Sequence, residues 1–212
     1  MTVVGLISDT HGRLDPLALA AMAEADYIIH AGDIGDYDIL DQLQLLAPTT
    51  AVLGNNDYPE YGSDVKLVAR LTIDGVRFAV AHYPHDVLMG PHGCLAVSPG
   101  DPIPQVCVHG HTHVPELLFG AAARPAEFFL CPGSASRPRR RFPKSYGRIE
   151  IRDGRIVDVR ICSLQGQDLL VWTAPDEEAA ADADAAGAAS APDDASAPVA
   201  APAPGAPEGG TA

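Results

Sequence analysis

VVGLISDTHG, Val3 to Gly12, is an unbroken apolar run that stops abruptly at Asp9, Thr10 and His11. It is too continuous for a strand with one wet face, so it predicts a strand covered on both sides. The carboxylate and imidazole at its end are hard oxygen and borderline nitrogen donors for a divalent metal. The same arrangement recurs along the chain. Tyr27–His30 leads to Gly32 and Asp33, and Thr50–Leu53 leads to Gly54, Asn55, Asn56 and Asp57. Val76–Ala81 ends at His82, and Gln105–Val108 runs into HGHTH, His109 to His113. Any one of these polar residues alone would pass for a cap or a solvated loop residue. Five such strand ends together point to a pair of catalytic cations.

The segments between the first three runs read as helices. Asp15 is an N-cap, Pro16 suits the first helical position, and Leu14, Leu17, Ala18, Ala21 and Met22 recur on one face. Asp36 caps a second helix over Ile39–Leu46. Alternation of strand and helix favours parallel pairing, which places the carboxyl ends of successive strands along one edge. After Tyr58 the pattern changes to strands joined by tight turns. Asp74-Gly75 separates Lys66–Ile73 from Val76–Ala81, and Asp153-Gly154 separates Gly147–Ile151 from Arg155–Ile161; both read as hairpins. A further apolar strand is expected at Glu127–Leu130, and Leu169–Trp172 ends the folded part. The predicted class is α/β: two mixed sheets face to face with helices outside, a four-layer α/β/β/α sandwich.

In this order and strand context the segments resemble the calcineurin-like metallophosphoesterase superfamily, in particular its small bacterial and archaeal YfcE-type branch, over roughly Met1–Ile161. PGSASRPR, Pro132 to Arg139, resembles that family's NPGS-type loop. The resemblance implies the metallo-dependent phosphatase fold and two divalent cations. Manganese is the first expectation, with iron, nickel, cobalt or zinc also compatible with these donors. It places Asp9, His11 and His113 on one cation, and Asn55, His82 and His111 on the other, with Asp33 bridging. Asp33, Asn56 and His111 take the catalytic roles. Between metals about 3.5–4 Å apart, a bridging water becomes hydroxide near neutral pH and attacks phosphorus in line with the leaving oxygen.

One departure bears on substrate. Larger relatives carry a His after the GN pair to protonate the leaving oxygen, whereas this chain has Asn56. An amide is no general acid at neutral pH, and general acid catalysis contributes roughly 10²–10⁴ in rate. Phosphate diesters and aryl phosphates are therefore expected ahead of phosphoserine. Arg137 and Arg139 are the candidates for holding a substrate phosphate, since guanidinium forks match its oxygens. The same cluster, with Arg140, Arg141 and Lys144, reads equally as a solvated loop, and Ser134 reads as a turn supporting the site. His30 and His109 suit structural hydrogen bonds or the orientation of a metal ligand. His85 and His92 read as surface residues.

Residues 1–173 read as the catalytic domain. From 174 to 212 the chain is, apart from Thr211, Ala, Pro, Gly, Ser and acid, with Val199 the one large aliphatic residue. Such a segment cannot bury enough surface to offset backbone ordering at roughly 1–2 kcal/mol per residue, and is expected to be a disordered tail. Eight of the 28 acidic residues lie there, so the net charge of −14 falls to −6 for the body. An acidic body argues against extended nucleic-acid binding but allows a small phosphate ester. The first apolar run is far shorter than the ~20 residues that span a bilayer, and no leader pattern precedes it. Cys94, Cys107, Cys131 and Cys162 are scattered without a CxxC pair, which predicts reduced thiols and a cytoplasmic enzyme. The competing readings are a catalytically silent scaffold of the same fold, like the retromer subunit, and a phosphomonoesterase or nuclease. Oligomeric state is left open. Deleting 174–212 should leave turnover of an aryl phosphodiester unchanged.

Overall fold

The computed structural model of the protein describes residues 1–58, 61–88 and 94–175. The expected tail from 176 onward and His92 lie outside them. Strands β1 (Thr2–Ile7), β2 (Tyr27–His30) and β3 (Thr49–Ala51) alternate with helices α1 (Pro16–Met22) and α2 (Tyr37–Gln44) and pair in parallel. Strands β4 (Val68–Ile73) and β5 (Val76–Ala81) form a hairpin, followed by the one-turn α3 (Pro84–Val87). Next come β6 (Val106–Val108), β7 (Pro115–Phe119) and β8 (Phe128–Pro132), and finally β9 (Ser145–Arg152), β10 (Arg155–Ser163) and β11 (Asp168–Thr173).

These strands form two mixed sheets. One has the order β11-β10-β9-β1-β2-β3 and the other β4-β5-β6-β8-β7. Their inner faces share one apolar core, in which Leu6, Ile29 and Ile149 of the first sheet join Phe78, Val108 and Leu130 of the second. Outside the first sheet, Ala18 and Met22 of α1 and Ile39, Leu40 and Leu43 of α2 pack with Ile7 and Ile28. Outside the second, Val87 of α3 packs with Ala79, Cys107 and Phe129. The four layers predicted from the sequence are therefore present.

Local chemistry accounts for the boundaries. The Asp15 side chain accepts from the Leu17 amide at 3.0 Å, Pro16 follows it, and Lys144 holds the same carboxylate at 2.8 Å. Asp36 caps α2 through the Asp38 amide at 3.1 Å. Both Asp-Gly turns have positive φ at each residue, 44° and 81° at Asp74-Gly75 and 52° and 74° at Asp153-Gly154, as the tightest hairpins require. One expectation fails: Leu17 is 50% exposed. α1 is under two turns long, and Ala18 and Met22, four apart, take its whole buried stripe. Burial pushes the Cys107 and Cys131 thiols up to about 12, so both act as small apolar side chains.

Phe78 lies between the sheets at 1% exposure, whereas Val171 on the edge strand β11 is 45% exposed. In urea unfolding, Phe78→Ala should cost about 3–5 kcal/mol, and Val171→Ala should stay within about 0.5 kcal/mol of the parent.

Candidate metal centre

β1, β2 and β3 are parallel in one sheet, and β5, β6 and β8 are parallel in the other. The loops after these six strands meet at one edge of the sandwich and interlock through backbone hydrogen bonds. The amides of Asp9, His11 and Gly12 donate to the carbonyls of Gly32, Asp33 and Ile34 at 3.0, 2.9 and 2.8 Å. His82 crosses between sheets, its Nδ1 donating to the Ala31 carbonyl at 2.8 Å. The Ser134 and Ser136 hydroxyls both donate to the Asp9 carbonyl at 2.9 Å, so this loop supports the site from beneath.

Two donor groups result. In the first, Asp9, His11, Asp33 and His113 each present a ligand atom within 4.8 Å of the others. His11 Nε2 and His113 Nε2 are 3.2 Å apart, and His113 Nε2 is 3.1 Å from Asp9 Oδ1. In the second, Asn55 Oδ1 lies 3.2 Å from His82 Nε2 and 2.9 Å from His111 Nδ1. Asp33 stands between them, with Oδ2 3.7 Å from His11 Nε2 and Oδ1 3.5 Å from His82 Nε2. All seven residues expected to ligate metal are thus brought together, in the two sets that the resemblance implies.

The arrangement fits a cation on physical grounds. Asp9 is fully buried; its Oδ2 accepts from Ser8 Oγ at 2.7 Å, but its Oδ1 has no aligned hydrogen bond despite the nearby His113 nitrogen. A buried carboxylate oxygen left so is costly unless a cation faces it. The Ala31 and Arg137 carbonyls take the Nδ1 protons of His82 and His113, the latter at 2.5 Å. That directs Nε2 of each ring inward, where it can give a lone pair to a bound cation or, with none bound, a proton to the Asp33 or Asp9 carboxylate. Backbone strain marks the same residues. Asp9, His11, Asp33, His111 and His113 all have positive φ, between 47° and 65°. Among the described residues, the other non-glycines in this region are the two hairpin aspartates. Left-handed backbone costs such residues roughly 1–2 kcal/mol each and clusters at functional sites.

Burial works against ionised Asp33, but hydrogen bonds from His82 and Asn56 outweigh it and hold its carboxyl well below the usual carboxylate range. The Asp9 carboxylate raises His113, while burial lowers His11 and His111. Asn56 donates twice to Asp33, from its backbone to Oδ1 at 2.8 Å and from its side chain to Oδ2 at 2.7 Å. Arg137 and Arg139 are exposed, and their charges act on His11 and His113 respectively. Lys144 is instead committed to Asp15.

His30 and His109 take the structural role. His30 is fully buried, accepts the Gly32 amide at Nδ1 and meets Thr10 Oγ1 at 2.9 Å through Nε2. His109 lies between the Gly110 carbonyl and Glu116. Asp57 went unassigned in the sequence reading, yet it ties the second and third loops together. Its carboxylate accepts from the amides of Ile34, Gly35 and Gly54 at 3.1, 2.9 and 2.8 Å. An Asp three residues after a turn glycine was the available signal. Gly54 and Gly110 are required by close approach: a Cβ at Gly54 would fall on the Asp33 amide and carboxylate, and one at Gly110 on Ser8 Oγ and the Ala31 carbonyl.

A family model described as the calcineurin-like phosphoesterase superfamily domain matches residues 1–154. A probable metallophosphoesterase of Methanocaldococcus jannaschii is 34% identical over 142 residues, covering 65% of this chain and 70% of the relative. Among solved structures, the phosphoesterase YfcE from E. coli superposes with a TM-score of 0.59 at 22% identity, covering 81% of this chain and 98% of that one. Vps29 from Entamoeba histolytica, crystallised with zinc, superposes at 0.57 and 19% identity, covering 81% and 97%.

His30 generates a pH prediction. Burial lowers its pKa from 6.5 to about 4, so between these values the unfolded chain binds a proton that the folded chain refuses. Stability should therefore fall as pH drops from 6.5 towards 4, by about 3 kcal/mol from this residue alone. Urea titrations of EDTA-treated protein across this window should show the slope, and His30→Gln should flatten it.

Proposed function

The chain belongs to the calcineurin-like phosphoesterase superfamily, and on that premise we propose that it is a phosphodiesterase working with two divalent cations, manganese foremost. The observation that carries this reading is the placement of Asp33, whose two oxygens address separate donor groups. Asp9, His11 and His113 would hold one cation, Asn55, His82 and His111 the other, and Asp33 both. When bound, the pair supplies Lewis-acid neutralisation of the phosphoryl oxygens and acidifies the attacking water.

The chain's own residues do the rest. Asn56 fixes the Asp33 carboxylate with two hydrogen bonds, which holds a bridging group in one orientation. Arg137 and Arg139, at the rim beside His11 and His113, would bind the non-reacting phosphate oxygens. His111, at the side of the second group, faces the incoming ester. With an amide where the larger relatives have an acid, the leaving oxygen must depart with little proton assistance. That favours aryl and nucleotide-type diesters over alkyl monoesters such as phosphoserine, by roughly 10² or more in kcat/KM. The cytoplasm suits four cysteines that form no disulfide, and no helix of the described residues is long and apolar enough to cross a membrane.

A second reading has one specific support, the likeness to Vps29, and would make the protein a scaffold whose metal site is silent. Two measurements separate them. The parent should bind close to two equivalents of manganese and hydrolyse bis(p-nitrophenyl) phosphate, and Asp33→Asn and His82→Ala should reduce that hydrolysis to background while far-UV circular dichroism stays unchanged. Full activity in either variant overturns the assignment; tight metal without turnover of any ester favours the scaffold.

A further inference from the structure

The backbone that delivers His82 to the site continues directly into an aromatic residue. Tyr83 is the N-cap of α3, with extended backbone at φ −84° and ψ 137°, and Pro84 follows it. Its half-buried ring lies on two of the site's imidazoles. The Tyr83 and His111 ring centroids are 4.6 Å apart, and those of Tyr83 and His82 are 5.5 Å apart, edge to face. On its outer side His85 stacks nearly parallel to it, with centroids 5.2 Å apart and planes 28° from each other. The His85 side chain is 75% exposed, and its Nε2 lies 3.4 Å from Asp86 Oδ1.

Rings thus run outward in a row from His111 through Tyr83 to His85. Two of these side chains have no duty in the centre itself. Tyr83 is not needed to orient His82, whose Nδ1 is already held by the Ala31 carbonyl. His85 is too exposed to stabilise the fold by burial. What the pair does present, beside the donor group of Asn55, His82 and His111, is the exposed His85 ring with the Tyr83 ring stacked behind it. Planar π-systems stack on such surfaces with little regard to their hydrogen-bonding pattern.

We propose that Tyr83 and His85 form a stacking subsite for an aromatic substituent, an aryl ring or a nucleobase, on the phosphate ester. The subsite rests on the reading of the centre as one that binds phosphate esters, and it narrows the substrate class to esters with a flat group close to phosphorus. It also gives a poorly protonated leaving group a place to rest as the ester bond lengthens. Alanine replacement of a stacking partner costs roughly 5- to 150-fold in affinity per ring.

The test uses two inert anions of equal charge, phenylphosphonate and methylphosphonate, titrated calorimetrically into the full-length, manganese-loaded protein. The parent should prefer phenylphosphonate by at least five-fold. Tyr83→Phe should keep that ratio, Tyr83→Ala should bring it close to one, and His85→Ala should reduce it about two-fold or more. A merely structural Tyr83 would weaken both phosphonates together and leave the ratio intact, which overturns the subsite. No preference in the parent overturns it as well, while leaving the phosphoesterase reading untouched. Failure of both anions to bind at all removes the phosphate-ester centre, and the subsite with it. Should Tyr83→Ala not fold, the ratio in His85→Ala decides, and an unchanged value there counts against the proposal.

Discussion

The Asp33 carboxylate is only 2% exposed, yet hydrogen bonds hold its pKa below the usual carboxylate range and it faces imidazole nitrogens on two sides. A carboxylate in that position is tolerated only if donors surround it. The protein supplies them from the third loop through Asn56, and from the second sheet through His82. Meeting this requirement dictates much else. The β2 loop must bend through positive φ to aim Asp33 inward, Gly54 must lack a side chain so that the third loop can lie against it, and Asp57 must tie those two loops together. Five left-handed residues at about 1–2 kcal/mol each amount to a strain comparable with the net stability of a typical domain. The loops therefore rely on the sheets beneath them. A rigid double-layer core, with Leu6, Phe78 and Leu130 fully or almost fully buried, is what allows strained loops to persist above it. Cation binding would offset part of the same strain, because ligation stabilises only the folded form.

Much of this was legible in the sequence, for reasons that differ by element. The two Asp-Gly hairpins announce themselves because that dipeptide tolerates positive φ at both positions, and no other local conformation asks for it so strongly. β1, α1, β2, α2 and β3 follow from apolar runs and caps within a few residues. β7 was missed, since its run begins with Pro115 and is interrupted by Glu116; it is an edge strand, where a missing amide costs little. The antiparallel pairing of β9 with β1, Thr2 opposite Ile151, had no local signal at all. Partners so distant in sequence are chosen by the shared core. Leu17 failed because amphipathic periodicity describes a stripe, while a helix of seven residues fills only the centre of one.

The centre divides similarly. Its seven donor residues are side chains of distinctive type placed at strand ends, so they can be read directly. What holds them is mostly backbone: the Ala31 carbonyl on His82, the Arg137 carbonyl on His113, the Gly32, Asp33 and Ile34 carbonyls under the first loop. A carbonyl carries no residue signature, so no inspection of letters could have found these contacts. Tyr83 escaped for another reason. An aromatic after a strand reads as core, and only the ring geometry shows it lying over His111.

The two donor groups are not equal in charge, and the inequality orients the proposed chemistry. Asp9 and Asp33 give the first group two carboxylates, whereas the second has Asp33 and the neutral Asn55 amide beside its imidazoles. A divalent cation would be nearly neutralised by the first set and left more positive by the second. The second side would therefore attract a further anion more strongly, and under the proposed function that anion is a phosphate ester. Tyr83 packs on His82 and His111, both members of that same set. The side with the greater residual demand for phosphate oxygens is thus also the side that offers a flat surface to whatever the phosphate carries, and an ester with an aromatic substituent satisfies both at once.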